Sequence, residues 1–165
     1  RLFLHRDIHD DFVQRLKKRV ERIVIGDPLD PGTEMGCVVS RAQYDKANRY
    51  IALGLEQGAT CLTGGGRPEG DSFAQGYFLR PTVFTGVRNE MRIAQEEIFG
   101  PVLSVLQWDD EAAVVREANL VEYGLTGSVW TRDIHKAFRT VDSLEVGFTW
   151  INGSSRQFKG VPFGG

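Results

Sequence analysis

A chain of 165 residues, 41% hydrophobic and 25% charged, has the make-up of one soluble globular domain and can bury roughly 70% of the surface its unfolded form exposes. The formal net charge is −2 and Lys and Arg form no block, so nothing marks a nucleic-acid partner. No apolar run approaches the ~18 residues of a membrane span and no signal-peptide pattern opens the chain, which excludes a membrane partner on this reading.

The chain opens without Met, directly in the strand-like Leu2-Phe3-Leu4-His5, and stops at Val161-Pro162-Phe163-Gly164-Gly165 with no closing element. It reads as a piece of a longer protein. Asp7 is the expected cap of the first helix, with Ile8, Phe12, Leu16, Val20, Ile23 and Val24 at helical spacing and Gly26-Asp27-Pro28 as its stop. A long loop runs to Val39. Ser40 and Gln43 then form a capping-box pattern before Tyr44, Ala47, Ile51 and Leu55 recur on one helical face, and Gly58 ends that helix. Residues 59–63 read as a short strand. Gly64-Gly65-Gly66 follows without the spacing of a phosphate-binding loop, so it reads as a strand exit.

Tyr77-Phe78-Leu79 and Thr82-Val83-Phe84-Thr85 read as an extended pair, with Pro81 at an edge or start. Then come Gln95-Glu96-Glu97-Ile98-Phe99-Gly100-Pro101 and a buried strand over 102–106. Two adjacent carboxylates repel unless one faces solvent or each has its own partner, so this acidic loop beside an apolar strand stands out. Asp109 or Asp110 caps the next helix, and 128–131 reads as a strand. A last helix with Ile134, Ala137, Phe138, Val141 and Leu144 inward leads to a final strand over 148–152. Strands alternating with helical stretches predict an α/β fold: one layered domain over 1–165, with a mostly parallel sheet and flanking helices.

Composition and spacing place little other chemistry. Cys37 and Cys61 are too few for a disulfide framework and fit a reducing, cytoplasmic compartment. Cys37 has apolar flanks and no local His to act as a base, and Cys61 reads as a small core residue. His5, His9 and His135 stand at no metal-ligand spacing, so no metal site is expected. Trp150 reads as core and Asn152 as a turn former.

Several stretches together resemble the NAD(P)-dependent aldehyde dehydrogenases, with a flavour closest to the betaine-aldehyde members. Gly76-Tyr77-Phe78-Leu79-Arg80-Pro81-Thr82-Val83-Phe84 looks like their G-Y-F-x-x-P-T-V segment, and Glu96-Glu97-Ile98-Phe99-Gly100-Pro101 like E-E-x-F-G-P. Glu122-Tyr123-Gly124-Leu125 resembles x-Y-G-L, and Trp150-Ile151-Asn152 with Pro162-Phe163-Gly164-Gly165 resembles W-x-N…P-F-G-G. The likeness covers nearly the whole chain and implies most of a catalytic domain, truncated at both ends. In such enzymes a Cys thiolate forms a thiohemiacetal and then a thioester while an aldehyde is oxidised to an acid with NAD, or with NADP in some members.

The resemblance places that Cys just before Arg1, so no catalytic residue is expected within the chain, and the chain alone is expected to be inactive. Cys37 does not match the nucleophile's motif. Glu97 would accept hydrogen bonds from the nicotinamide-ribose hydroxyls, and Phe99 would form an apolar wall beside the nicotinamide. Phe163, Phe158, Ser154 and Ser155 would line the aldehyde pocket. Implied partners are a small-molecule aldehyde, the dinucleotide-binding domain of the parent chain, and further copies in a dimer or tetramer. Alternative readings are an acylating dehydrogenase or acyl-phosphate reductase on the same scaffold, and a catalytically silent binding or structural homologue.

Overall fold

A computed structural model describes residues 1–165, which form two compact units, 1–109 and 110–165. The first unit runs β1 (Leu2–His5), α1 (Arg6–Val20), α2 (Arg41–Glu56), β2 (Thr60–Thr63), β3 (Thr82–Thr85), the single turn α3 (Arg92–Gln95) and β4 (Val102–Trp108). The second runs α4 (Glu111–Asn119), β5 (Thr126–Val129), α5 (Ile134–Ser143) and β6 (Phe148–Ile151).

The first sheet has the order β1-β4-β3-β2, with β1 and β3 both parallel to β4 and β2 antiparallel to β3. β4 is central because it is the longest strand and an apolar one. Its Val105 and Leu106 are 0% and 2% exposed, so both faces of the sheet are covered there, as parallel strands require. One face packs Val13 of α1 with Leu4, Val83 and Val105. The other packs Ala47, Tyr50 and Ile51 of α2 with Phe84, Met91, Ile93 and Ile98.

Several local expectations shift. His5, not Asp7, caps α1: its Nδ1 accepts from the Asp7 backbone N–H at 3.3 Å. The helix stops at Val20, before Ile23 and Val24, because that stretch pairs with a later one. Val24 donates its N–H to the Glu34 carboxylate at 3.0 Å, and its carbonyl accepts from Glu34 and Met35. Ile8 and Phe12 remain largely exposed, and the covered stripe is Val13 with Leu16 and Val20.

On α2 the Ser40 cap forms as expected, its Oγ accepting from the Gln43 N–H at 3.2 Å. The buried face is Ala47, Tyr50, Ile51 and Gly54, while Leu55 is exposed. Residues 77–79 form no strand, although the Tyr77 carbonyl accepts from Val38 N–H at 3.0 Å. Gly64 leaves β2 with φ 93°, and a Cβ there would lie 2.2 Å from the Pro81 carbonyl oxygen. That close approach, rather than looseness, explains the first of the three glycines.

In the second unit β5 and β6 are parallel and in register from Thr126 opposite Phe148 to Val129 opposite Ile151. The six strands thus divide four and two instead of joining in one sheet. Asp110 and Asp133 cap α4 and α5 by accepting from Ala113 N–H, and from His135 and Lys136 N–H. On α5 only Ala137 is buried; Ile134 and Phe138, expected inward, are more than half exposed. β5 ends at Val129 rather than Thr131 because Asn152 takes over the pairing with its side chain. Its Nδ2 donates to the Thr131 carbonyl and its Oδ1 accepts from the Thr131 N–H, each at 2.9 Å. No helix is long and apolar enough to cross a membrane.

Candidate functional site

The acidic segment leaves α3 and turns into β4 with its apolar residues directed into the core. Ile93, Ala94 and Ile98 are buried, and Ser104 of β4 donates its hydroxyl to the Ile93 carbonyl at 2.8 Å. The segment lies along one face of α2. Gln43 donates its side-chain amide to the Ile98 carbonyl at 2.8 Å, and Lys46 donates Nζ to the Glu97 carbonyl at 2.7 Å. A Cβ on Gly100 would stand 3.1 Å from the Ala47 Cβ, so the absence of a side chain lets the turn sit on the helix. Tyr50 donates its phenol O–H to the Glu96 carboxylate. Positions 43, 46, 47 and 50 follow the spacing of a single helical face.

The two neighbouring carboxylates have separate fates. Glu96 is held by Tyr50 and by a two-pronged bond from Arg92, with Nε at 2.6 Å and Nη2 at 3.0 Å. The Arg92 bonds, followed by the Tyr50 bond, lower its pKa from 4.5 to about 2, against a smaller opposing effect of desolvation. The same carboxylate, together with burial, raises the Tyr50 phenol above its ordinary 10.0, so Tyr50 stays a donor. Glu97 is exposed and its carboxylate has no hydrogen bond or ion pair within the chain; only its backbone carbonyl is held. Beside it Phe99 is 73% exposed and adopts φ 55°, a left-handed conformation that a bulky residue takes rarely and at a cost of order 1–3 kcal/mol. The Lys46 ammonium lies 5.6 Å from the centre of its ring.

A free carboxylate with two acceptor oxygens beside an exposed aromatic face suits a ligand that offers hydroxyls and a flat ring. Sequence reading singled out Glu97 and Phe99 but missed Gln43, Lys46, Tyr50 and Arg92. The available signal was their periodicity: Gln43, Lys46, Ala47 and Tyr50 stand at i, i+3, i+4 and i+7. It was masked because Gln43 also fits a capping box, and its side chain goes to Ile98 instead of back to Ser40.

The other predicted residues belong to the second unit. Phe163 is 43% exposed and packs on Phe148 with ring centres 5.8 Å apart, and Phe148 in turn packs on Trp150 at 4.9 Å. Trp150 donates Nε1–H to the Arg156 carbonyl at 2.7 Å, which ties down the loop that carries Ser154, Ser155 and Phe158. All three of those side chains are exposed, and Ser155 has φ 60°. Cys37 is exposed; Cys61 is half-buried and directs its thiol at the Thr63 carbonyl. No group of three or more His, Cys, Asp or Glu side chains is gathered to hold a metal ion.

The family description "Aldehyde dehydrogenase family" matches residues 1–165. The chain belongs to the aldehyde dehydrogenase family. It is 48% identical over 165 residues to a betaine aldehyde dehydrogenase of Mesorhizobium japonicum and 50% identical to one of Sinorhizobium fredii, covering 100% of this chain and 34% of each relative. The chain therefore spans about a third of the length of these relatives. Among solved structures, a Staphylococcus aureus betaine aldehyde dehydrogenase in complex with NAD+ superposes with a TM-score of 0.95 at 40% identity, covering 98% of this chain and 32% of that one. An aldehyde dehydrogenase of Bacillus cereus, an E194S mutant, superposes with a TM-score of 0.93 at 38% identity, covering 98% of this chain and 32% of its own.

Proposed function

We propose that this chain is the cofactor-positioning part of an enzyme that oxidises an aldehyde to a carboxylic acid with NAD, the aldehyde being of the betaine-aldehyde type. The observation that carries the reading is the division between the two acids: Glu96 is committed to Tyr50 and Arg92, whereas the Glu97 carboxylate is open to solvent beside an exposed Phe99. Similarity to a structure in complex with NAD+ supports the cofactor, and the relatives' names support the substrate.

Glu97 and Phe99 would hold NAD, which when bound would supply the hydride acceptor for aldehyde oxidation. Glu97, with two acceptor oxygens free of any partner in the chain, would accept hydrogen bonds from the nicotinamide-ribose hydroxyls. Phe99, 73% exposed, would offer an apolar face to the nicotinamide ring and exclude water from it. In the second unit, the Phe163 and Phe158 rings and the Ser154 and Ser155 hydroxyls line the aldehyde pocket.

The test is Glu97→Gln in the complete protein that carries this chain. Loss of a charge-assisted bond of about 1.5–3 kcal/mol is expected to lower kcat/KM by roughly 10–150-fold. Steady-state rates of aldehyde-dependent NAD reduction measure it. Unchanged kinetics would remove Glu97 from the mechanism.

A further inference from the structure

The tied carboxylate beside Glu97 has no role in the chemistry proposed above, yet it is the most heavily bonded acid in the segment. Its phenol partner is on α2 and its guanidinium partner on α3, so it joins two elements of the core. Glu96 itself is extended, with φ −116° and ψ 146°. In extended backbone, consecutive side chains leave on opposite sides. Fixing Glu96 against the helices therefore turns Glu97 away from them and out of the fold. Lys46 then fixes the far end of the Glu97 peptide through its carbonyl, and Gln43 fixes the next one.

We propose that Glu96, with Tyr50 and Arg92, is a positioning unit that sets the backbone direction from which the Glu97 side chain leaves the fold before the cofactor arrives. The inference rests on the cofactor reading of Glu97. Arg92 has a second effect: it offsets the Glu96 charge, which reduces like-charge repulsion between the two neighbouring side chains. With the backbone at Glu97 already fixed, only side-chain rotation is left to be lost when a ribose binds, and that saving appears as affinity for the cofactor rather than for the aldehyde. The low pKa of Glu96, about 2, is consistent with a group that stays charged at every working pH.

The experiment uses the complete protein and compares Tyr50→Phe, Arg92→Gln and Arg92→Lys with Glu97→Gln, reading the KM for NAD and the KM for the aldehyde separately. Tyr50→Phe keeps the buried ring and deletes one bond. Arg92→Gln acts at a more exposed side chain and carries the test if Tyr50→Phe fails to fold. Each is expected to raise the KM for NAD roughly 5- to 20-fold with the aldehyde KM unchanged, and Arg92→Lys to restore part of the loss. Arg41→Gln is the control, since it breaks the two-bond pair with Asp45 on the same helix and is expected to leave the KM for NAD unchanged.

Tyr50→Phe and Arg92→Gln both within about twofold of the parent, while Glu97→Gln raises the KM for NAD, would overturn the positioning role and leave the cofactor reading standing. An equal rise in Arg41→Gln would overturn it too, because general weakening of α2 would then explain the effect. No change in Glu97→Gln would overturn the cofactor reading, and the positioning role with it.

Discussion

Adjacent Glu96 and Glu97 carry the same functional group and differ only in what surrounds them. Two donors hold Glu96, and its folded-state pKa is depressed to about 2 from 4.5. A depressed acid stabilises the fold above its unfolded pKa. As pH falls from about 4.5 towards about 2 the unfolded chain binds the proton first, and that stabilisation is lost. Denaturant melts of the chain across this window are expected to show a drop in stability that is smaller in Glu96→Gln. A wild-type and a mutant curve of the same shape would contradict the assignment. At Glu97 the expected loss is in kcat/KM, not in stability, because its carboxylate has no partner in the fold to lose.

At the scale of elements, two connections are set by backbone requirements that periodicity does not encode. Gly64 is left-handed and presses on the backbone at Pro81, so Gly64→Ala combines an unfavourable φ with a backbone clash. A loss of about 2 kcal/mol or more is expected in denaturant unfolding, whereas Gly66→Ala, at φ 78° with open space around it, is expected to cost about 1 kcal/mol. Asn152, at φ 51°, extends the β5–β6 ladder with its side chain. Asn152→Gly is expected to cost about 1–2 kcal/mol for the two lost bonds, and Asn152→Ala more, since it adds backbone strain. Equal stability of the two variants would place the whole effect in the bonds.

For the molecule as a whole, the notable property is apolar surface left open. Trp130, Ile134 and Phe138 are each more than half exposed in the second unit, as are Ile8 and Val24 in the first. The second unit is also built on a two-stranded sheet, a marginal arrangement by itself. The isolated chain is therefore expected to self-associate, with a weight-average mass that rises with concentration in sedimentation. A clean monomer at high concentration would contradict this.

The sequence by itself determined the alternation of strands and helices, the Ser40 cap, the buried strand β4 and, through the resemblance of its motifs, the family. These depend on local periodicity and on residue types at fixed spacing, which a linear chain displays directly. It also marked 95–101 as unusual, because two acids abut an apolar run. The resemblance singled out Glu97, but only the tertiary structure showed what ties Glu96, since its donors, Tyr50 and Arg92, come from separate elements. It also decided that β5 and β6 form a sheet of their own and that α1 ends at Val20, ahead of Val24, which pairs with residues 34–35. In each case a contact between residues distant in sequence outweighed local preference, and spacing along the chain carries no record of such contacts.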